Sequence, residues 1–259
     1  MKTQSSAGWR PTSDLFFAQR LEAIALSVAE IWLAGQSMPV AFLRDGAHWR
    51  AMAVFSPGDG ANRFVDIGSG QWRGAYIPAL MRAHPFRLDD GDPAALKFWP
   101  GCEPAPLAEG VKPFLDEAGQ PTEEVRRILR HLRQVHAGMA PVHAPLALLE
   151  EWGVLVPWVL EGVADAGVAL GGRPAHVLDQ ERFQALDDDQ FLLLRQHDAL
   201  GWLYAQQHSL HHSRHLVTPA PSLDIPEQLE EGGAPAMSME MDDEVANLLG
   251  SMFADDPEA

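Results

Sequence analysis

An Asp-Gly pair at positions 45 and 46 stands between two apolar runs, MPVAFLRD and HWRAMAVF. That arrangement is a strong hairpin signal, because a tight turn needs residues that tolerate positive φ while the flanking runs supply a face to bury. Two antiparallel strands are therefore expected across this turn. Past the turn-rich SPGDGANRF, a third short strand is expected at Phe64 to Ile67, completing a small antiparallel sheet. The triplets GDG (58–60) and GSG (68–70) read as further turns. Neither leads into the Lys-Ser/Thr pair or the helix that a phosphate-binding loop requires.

Helical spacing appears on both sides of this hairpin. Thr12, Ser13 and Asp14 form a capping cluster before LFFAQRLEAIALSVAEIWLAG, where Leu21, Ile24, Ala25, Val28, Ile31 and Trp32 recur at helical intervals. The pattern predicts one long core-packed helix closed by Gly35. Its polar face is mixed in sign rather than basic, which disfavours a membrane-surface role. In YIPALMRAHPF, Pro78 suits a first helical turn and Pro85 a stop, with Ile77, Leu80, Met81 and His84 on one face. His84 reads there as a packed, hydrogen-bonded imidazole. Residues 87–111 are loop-like and rich in Pro, with LKFW as a strand. Pro121, Thr122, Glu123 and Glu124 then open a helix, acidic residues suiting the positive end of its dipole. His143 to Trp158 reads as a helix followed by the apolar strand VLVPWVL. Asp187, Asp188 and Asp189 precede the longest helical region, which runs to Leu216; they read as a cap rather than a metal triplet.

Charge is unevenly placed. The formal net charge is −17 over 259 residues; residues 217–259 hold eleven acidic and no basic side chains, leaving the first 216 at −6. A mildly acidic surface repels phosphate backbones. The cluster Arg126, Arg127, Arg130 and Arg133 reads as one solvated helix face, and no nucleic-acid partner is expected. No uninterrupted apolar run reaches the length of a membrane span, and no apolar stretch precedes Leu15 as a secretory signal would require, so the expected location is cytoplasmic.

Signatures of catalysis are absent from the motifs that can be read. The single cysteine, Cys102, excludes an internal disulfide and any multi-thiolate metal site. It reads as a small half-buried residue in a Pro-rich loop; a reactive thiol would need a nearby base, which the sequence does not locate. His208, His211, His212 and His215 fall at helical spacing, so two imidazoles could chelate a divalent ion at i, i+4. The stretch HSLHHSRH has no Glu general base of the His-Glu-x-x-His kind, and histidines at a helix end also simply suit its negative pole. No Gly-x-Ser-x-Gly is present, and Ser209 has no identifiable acid partner. No cofactor is implied.

Three blocks, NRFVDIGSGQWRGAYIPALMRAHPF, FLDEAGQPTEEV and LDQERFQALDDDQFLLLRQHDALGWLYAQQHSL, resemble the SapC family in the same order, over Glu30 to Leu216. The family is related to an S-layer secretion accessory protein and common in Gram-negative bacteria. Asn62, Phe64, Trp72, Tyr76, Pro78, Arg82, Pro85, Gly119, Pro121, Tyr204 and Ser209 are among the residues that carry the resemblance. Departures are Arg63, Ala83-His84 and Gln206-Gln207-His208. The resemblance implies a bacterial accessory role, in a family found near outer-membrane receptors, flavin halogenase-like proteins and cupin-like hydroxylases.

The expected architecture is α+β: a small antiparallel sheet packed with several α-helices over residues 12–216, plus a flexible acidic C-terminal tail over residues 217–259. Within the tail Met241, Val245, Leu248, Leu249, Met252 and Phe253 fall at helical spacing behind acidic residues, so 240–253 reads as a short amphipathic helix, either a docking motif on a flexible tether or a terminal helix that folds back on its own domain. The expected function is a non-catalytic adaptor that binds a protein or peptide. Trp72, Tyr76, Arg82, Leu248, Leu249 and Phe253 are the expected recognition residues, since aromatics and Arg suit binding hot spots; the alternative for Trp72, Tyr76 and Arg82 is that they only hold the core together. The competing expectation is an enzyme acting on a peptide or saccharide, with a metal on the terminal His cluster.

Overall fold

The computed structural model describes residues 7–89, 95–160 and 167–217. In chain order its strands are β1 (Ala7–Trp9), β2 (Ala23–Leu26), β3 (Val40–Asp45), β4 (His48–Val54), β5 (Phe86–Leu88), β6 (Leu96–Phe98), β7 (Ala105–Pro106), β8 (Lys112–Pro113), β9 (Leu155–Pro157), β10 (Ala169–Leu170) and β11 (Arg173–Leu178). Its helices are α1 (Val28–Gly35), α2 (Ala79–Arg82), α3 (Glu123–Ala137), α4 (His143–Glu151), α5 (Gln180–Gln184), α6 (Asp188–Gln196), α7 (Leu200–Ser209) and α8 (Arg214–Val217), with short 3-10 turns between some of them. The class is α+β, with antiparallel sheets as the sequence predicts. Two compact units are distinguished, a larger one holding described residues 13–82, 134–160 and 167–217, and a smaller one holding 7–12, 83–89 and 95–133.

The larger unit is built on the hairpin of β3 and β4. Val40 pairs with Ala53, Phe42 with Ala51 and Asp45 with His48, so the two turn residues are Gly46 and Ala47. Gly46 takes φ +60, at the first turn position where a primed turn needs it. Val40, Ala41, Phe42 and Leu43 are all buried, which makes β3 a central strand, and the sheet runs β10-β11-β3-β4-β2 with β9 also paired to β11.

Several sequence expectations need correction here. The long helix expected from residue 15 to Gly35 is instead a 3-10 turn at Phe16–Ala18, the strand β2 and the eight-residue α1. Ile24 and Leu26 point inward while Ala23 and Ala25 are half-buried, an alternation that lets β2 pair with Ala51–Val54. A capping box then starts the helix afresh: Glu30 accepts the Ser27 backbone N–H, and the Glu30 N–H donates to the Ser27 carbonyl. β2 is thus the third strand of the hairpin sheet. The expected strand at Phe64 to Ile67 reduces to one bridge, Val65 with Trp72. The helix around Pro78 is only four residues long, and its buried positions are Ala79 and Met81 rather than an Ile77, Leu80, Met81, His84 stripe. The region from Asp187 to Leu216 is broken, because Asp198 adopts φ +53 between α6 and α7. A short polar side chain makes that left-handed stop tolerable. Asp187 does cap α6, accepting from Gln190 N at 2.8 Å.

In the smaller unit β1 lies between β7 and β8. Gly8 permits this, since a Cβ there would lie 2.0 Å from the Lys112 carbonyl oxygen. Its core is aromatic: Trp9 packs on Phe86 and Phe114 at centroid distances of 5.2 and 5.5 Å, and Phe98 closes on Phe86 at 5.2 Å. Arg126 and Arg130 of α3 pair with Glu123, and Arg127 with Glu124, so the basic cluster sits on a mixed-charge helix face. Among the described residues no helix is long and apolar enough to cross a membrane.

Candidate functional site

Glu30 organises the region around the expected recognition residues. Its side chain is buried, and four donors satisfy it: Ser27 N at 3.1 Å, Ser27 Oγ at 2.7 Å, Tyr76 Oη at 3.0 Å and Ala79 N at 2.6 Å. A buried carboxylate is tolerable only when hydrogen-bonded in this way. The bonds join the start of α1 to the Tyr76 loop and to α2. Burial, followed by the negative charge of Glu30 beside it, pushes the Tyr76 phenol up to about 12.

Trp72 and Tyr76 are half-buried parts of this framework. The Trp72 indole N–H donates to the Tyr76 carbonyl at 2.8 Å, and its ring lies 5.3 Å from Phe55 and 5.6 Å from Phe64. Gly74 makes room for it, as a Cβ there would stand 2.7 Å from the indole nitrogen. Arg82 differs from both in being exposed. Its guanidinium sits 5.6 Å from the centre of the Tyr76 ring and donates to the Tyr76 hydroxyl at 3.3 Å. The structure thus brings the three residues together, with Arg82 alone turned mainly to solvent. Leu248, Leu249 and Phe253 lie outside the described residues.

A second feature went unread in the sequence. Helices α1 and α7 pack closely, because Gly35 has no side chain where a Cβ would stand 3.1 Å from the Ala205 carbonyl oxygen. α7 is itself anchored to the sheet. Ser209 Oγ accepts from Val40 N at 2.9 Å, while Gln206 Nε2 donates to the Val40 carbonyl at 3.1 Å. Ser209 Oγ in turn donates to the Gln206 carbonyl at 2.6 Å, so this hydroxyl is committed to holding β3.

Along the outside of the α1/α7 contact runs a groove of about 280 Å³ lined by Trp32, Gly35, Gln36, Ala205 and His208. Trp32 is 60% exposed and Leu33 45%, although the helical pattern had placed Trp32 in the core. In the helix that starts afresh after Ser27, Ile31 and Ala34 face the core, which leaves the next positions round the helix, Trp32 and Leu33, facing out. α1 carries no charged side chain except the buried Glu30, so its outer face, Ala29, Trp32 and Leu33, is apolar where a solvated helix would be polar. The available signal was that α1 has no polar residue apart from Glu30.

The four histidines do come together at one end of this region. The rings of His208 and His211 are 4.7 Å apart, those of His211 and His212 3.7 Å, and those of His212 and His215 5.8 Å. His212 is buried, and that burial, with the charges of His211 and His215, lowers it from the ordinary 6.5. Among the described residues no group of three or more His, Cys, Asp or Glu side chains is arranged to hold a metal ion.

The SapC family model matches residues 2–216, which include all the residues named in this site except those outside the described region, and the chain belongs to that family. No curated protein and no solved structure matches the chain.

Proposed function

We propose that this SapC-family chain is a non-catalytic accessory protein that works by holding a segment of a protein partner, and that the α1/α7 groove is its seat. One observation carries the reading: Trp32 is 60% exposed beside Leu33, on a helix with no exposed charge. A large aromatic beside an apolar groove is a typical anchor for binding. The fitting occupant is an amphipathic helix with an acidic polar face. Its apolar stripe would cover Trp32 and Leu33, and its carboxylates would meet the exposed His208 and, beyond it, His211, Arg214 and His215. Arg82, exposed above the Tyr76 ring, is proposed as a second contact with the partner. A cytoplasmic setting, with a partner drawn from a surface-protein or outer-membrane receptor system, belongs to the same proposal.

Selection of helical peptides from a displayed random library on the full chain tests this reading. Enriched sequences should carry apolar residues at i, i+3 or i+4 and i+7 with acidic residues between them. Trp32→Glu should weaken their binding by about tenfold or more, as loss of a hot-spot anchor does, with the melting temperature kept. Enrichment that survives Trp32→Glu, or no enrichment at all, overturns the groove as the seat.

A further inference from the structure

Cys102 and His84, eighteen positions apart in sequence, meet in the smaller unit. The Cys102 Sγ lies 3.3 Å from His84 Nε2, and the other ring nitrogen, Nδ1, lies 2.6 Å from Thr12 Oγ1. The thiol is held in place by a turn in which Cys102 N donates to the Trp99 carbonyl at 3.0 Å and Gly101 takes φ +81. The Trp99 ring stands edge-on to the imidazole at 5.9 Å. Cys102 and His84 are both half-buried, so the sulfur is in reach of solvent.

We propose that Cys102, His84 and Thr12 form a base-assisted nucleophilic thiol that takes small uncharged carbon electrophiles. The arrangement has the three parts that activate a nucleophile: the reacting group, a base within hydrogen-bond reach, and a third group that orients the base. In the working tautomer the His84 Nδ1–H donates to the Thr12 hydroxyl oxygen, which leaves the Nε2 lone pair facing the thiol. As the sulfur–carbon bond forms, the thiol proton passes to Nε2 and the bond from that carbon to its leaving group breaks. Burial pushes the Cys102 thiol up from its ordinary value, so the resting group keeps its proton and needs the base to react. The same desolvation favours an uncharged reagent over an anionic one.

The chain has one cysteine, so every thiol reaction of the full-length protein reports on this site. Iodoacetamide is the probe: Sγ bonds to its methylene carbon and iodide leaves. At neutral pH the alkylation rate, followed by intact mass, should exceed that of N-acetylcysteine by about tenfold, and His84→Gln should remove about that factor. Thr12→Val should slow the reaction while Thr12→Ser keeps it, a difference that a purely structural role for this exposed residue does not produce. A wild-type rate at or below that of the free thiol overturns the proposal. So does a His84→Gln protein that melts like the wild type and reacts as fast. Should His84→Gln fail to fold, equal rates in the Thr12→Val and Thr12→Ser proteins overturn it.

Discussion

The Tyr76 hydroxyl donates to the buried carboxylate of Glu30 at 3.0 Å, joining two residues 46 positions apart and fixing where α1 begins relative to the loop that carries Trp72. The same carboxylate also receives both donors of Ser27 and the amide of Ala79. A helix cap and a tertiary clasp therefore share one side chain.

Glu30→Ala should destabilise the fold by about 3 kcal/mol or more, because it leaves several donors without their acceptor in a site that excludes water. Tyr76→Phe removes one donor and keeps the ring, and should cost about 1 kcal/mol. Urea unfolding of the two variants beside the wild type measures both. Equal losses would show that the carboxylate is held by Tyr76 alone.

Alkaline pH should release the clasp. The folded state holds the Tyr76 proton up to about 12, against 10.0 for the unconstrained phenol. Its contribution to stability is therefore fully present below pH 10.0 and is lost as pH rises toward about 12. Tyrosinate absorbance, wild type minus Tyr76→Phe, should show this titration. The fall in stability across the same window should be shallower in Tyr76→Phe.

The hairpin, α3, α4 and the Asp187 cap were legible because each rests on local signals: turn residues between apolar runs, acidic first turns, apolar periodicity. The first helix was misread because AIAL satisfies both a helical stripe and an alternating strand, and only pairing with β4 decides between them. The capping box Ser27-Val-Ala-Glu30 was the local sign that the helix starts later. Trp72, Tyr76 and Arg82 lie close together in the sequence and in the fold, yet the buried partner that orders the Tyr76 loop, Glu30, is distant in the chain. The Cys102–His84 pair has no local signature and the groove only the apolar outer face of α1, since each is made by segments that only the tertiary fold brings together.

Substitution at Gly35 should separate α1 from α7. Ala there gains helix propensity but meets the Ala205 carbonyl oxygen at 3.1 Å and Ser209 Cβ at 3.3 Å, and α7 cannot yield because Gln206 and Ser209 hold it on Val40. Gly35→Ala should lose about 1 kcal/mol net, and Gly35→Val about 3, as overpacking does. Thermal melting ranks the two; a more stable Gly35→Val would mean that the helices slide apart without cost.

Arg82→Ala provides the contrast between binding and folding. The guanidinium is exposed, and its contact with the Tyr76 ring at 5.6 Å is of the kind that contributes about 0.5–1 kcal/mol at a surface. Glu30 keeps its bond to Tyr76 without it, so the melting temperature should fall by only a few degrees, about 5 °C at most. Binding of the peptides selected on the wild-type chain should fall by about tenfold, the loss expected of an Arg anchor at an interface. A large drop in melting temperature with binding retained would assign Arg82 to the framework and leave recognition to the Trp32 face.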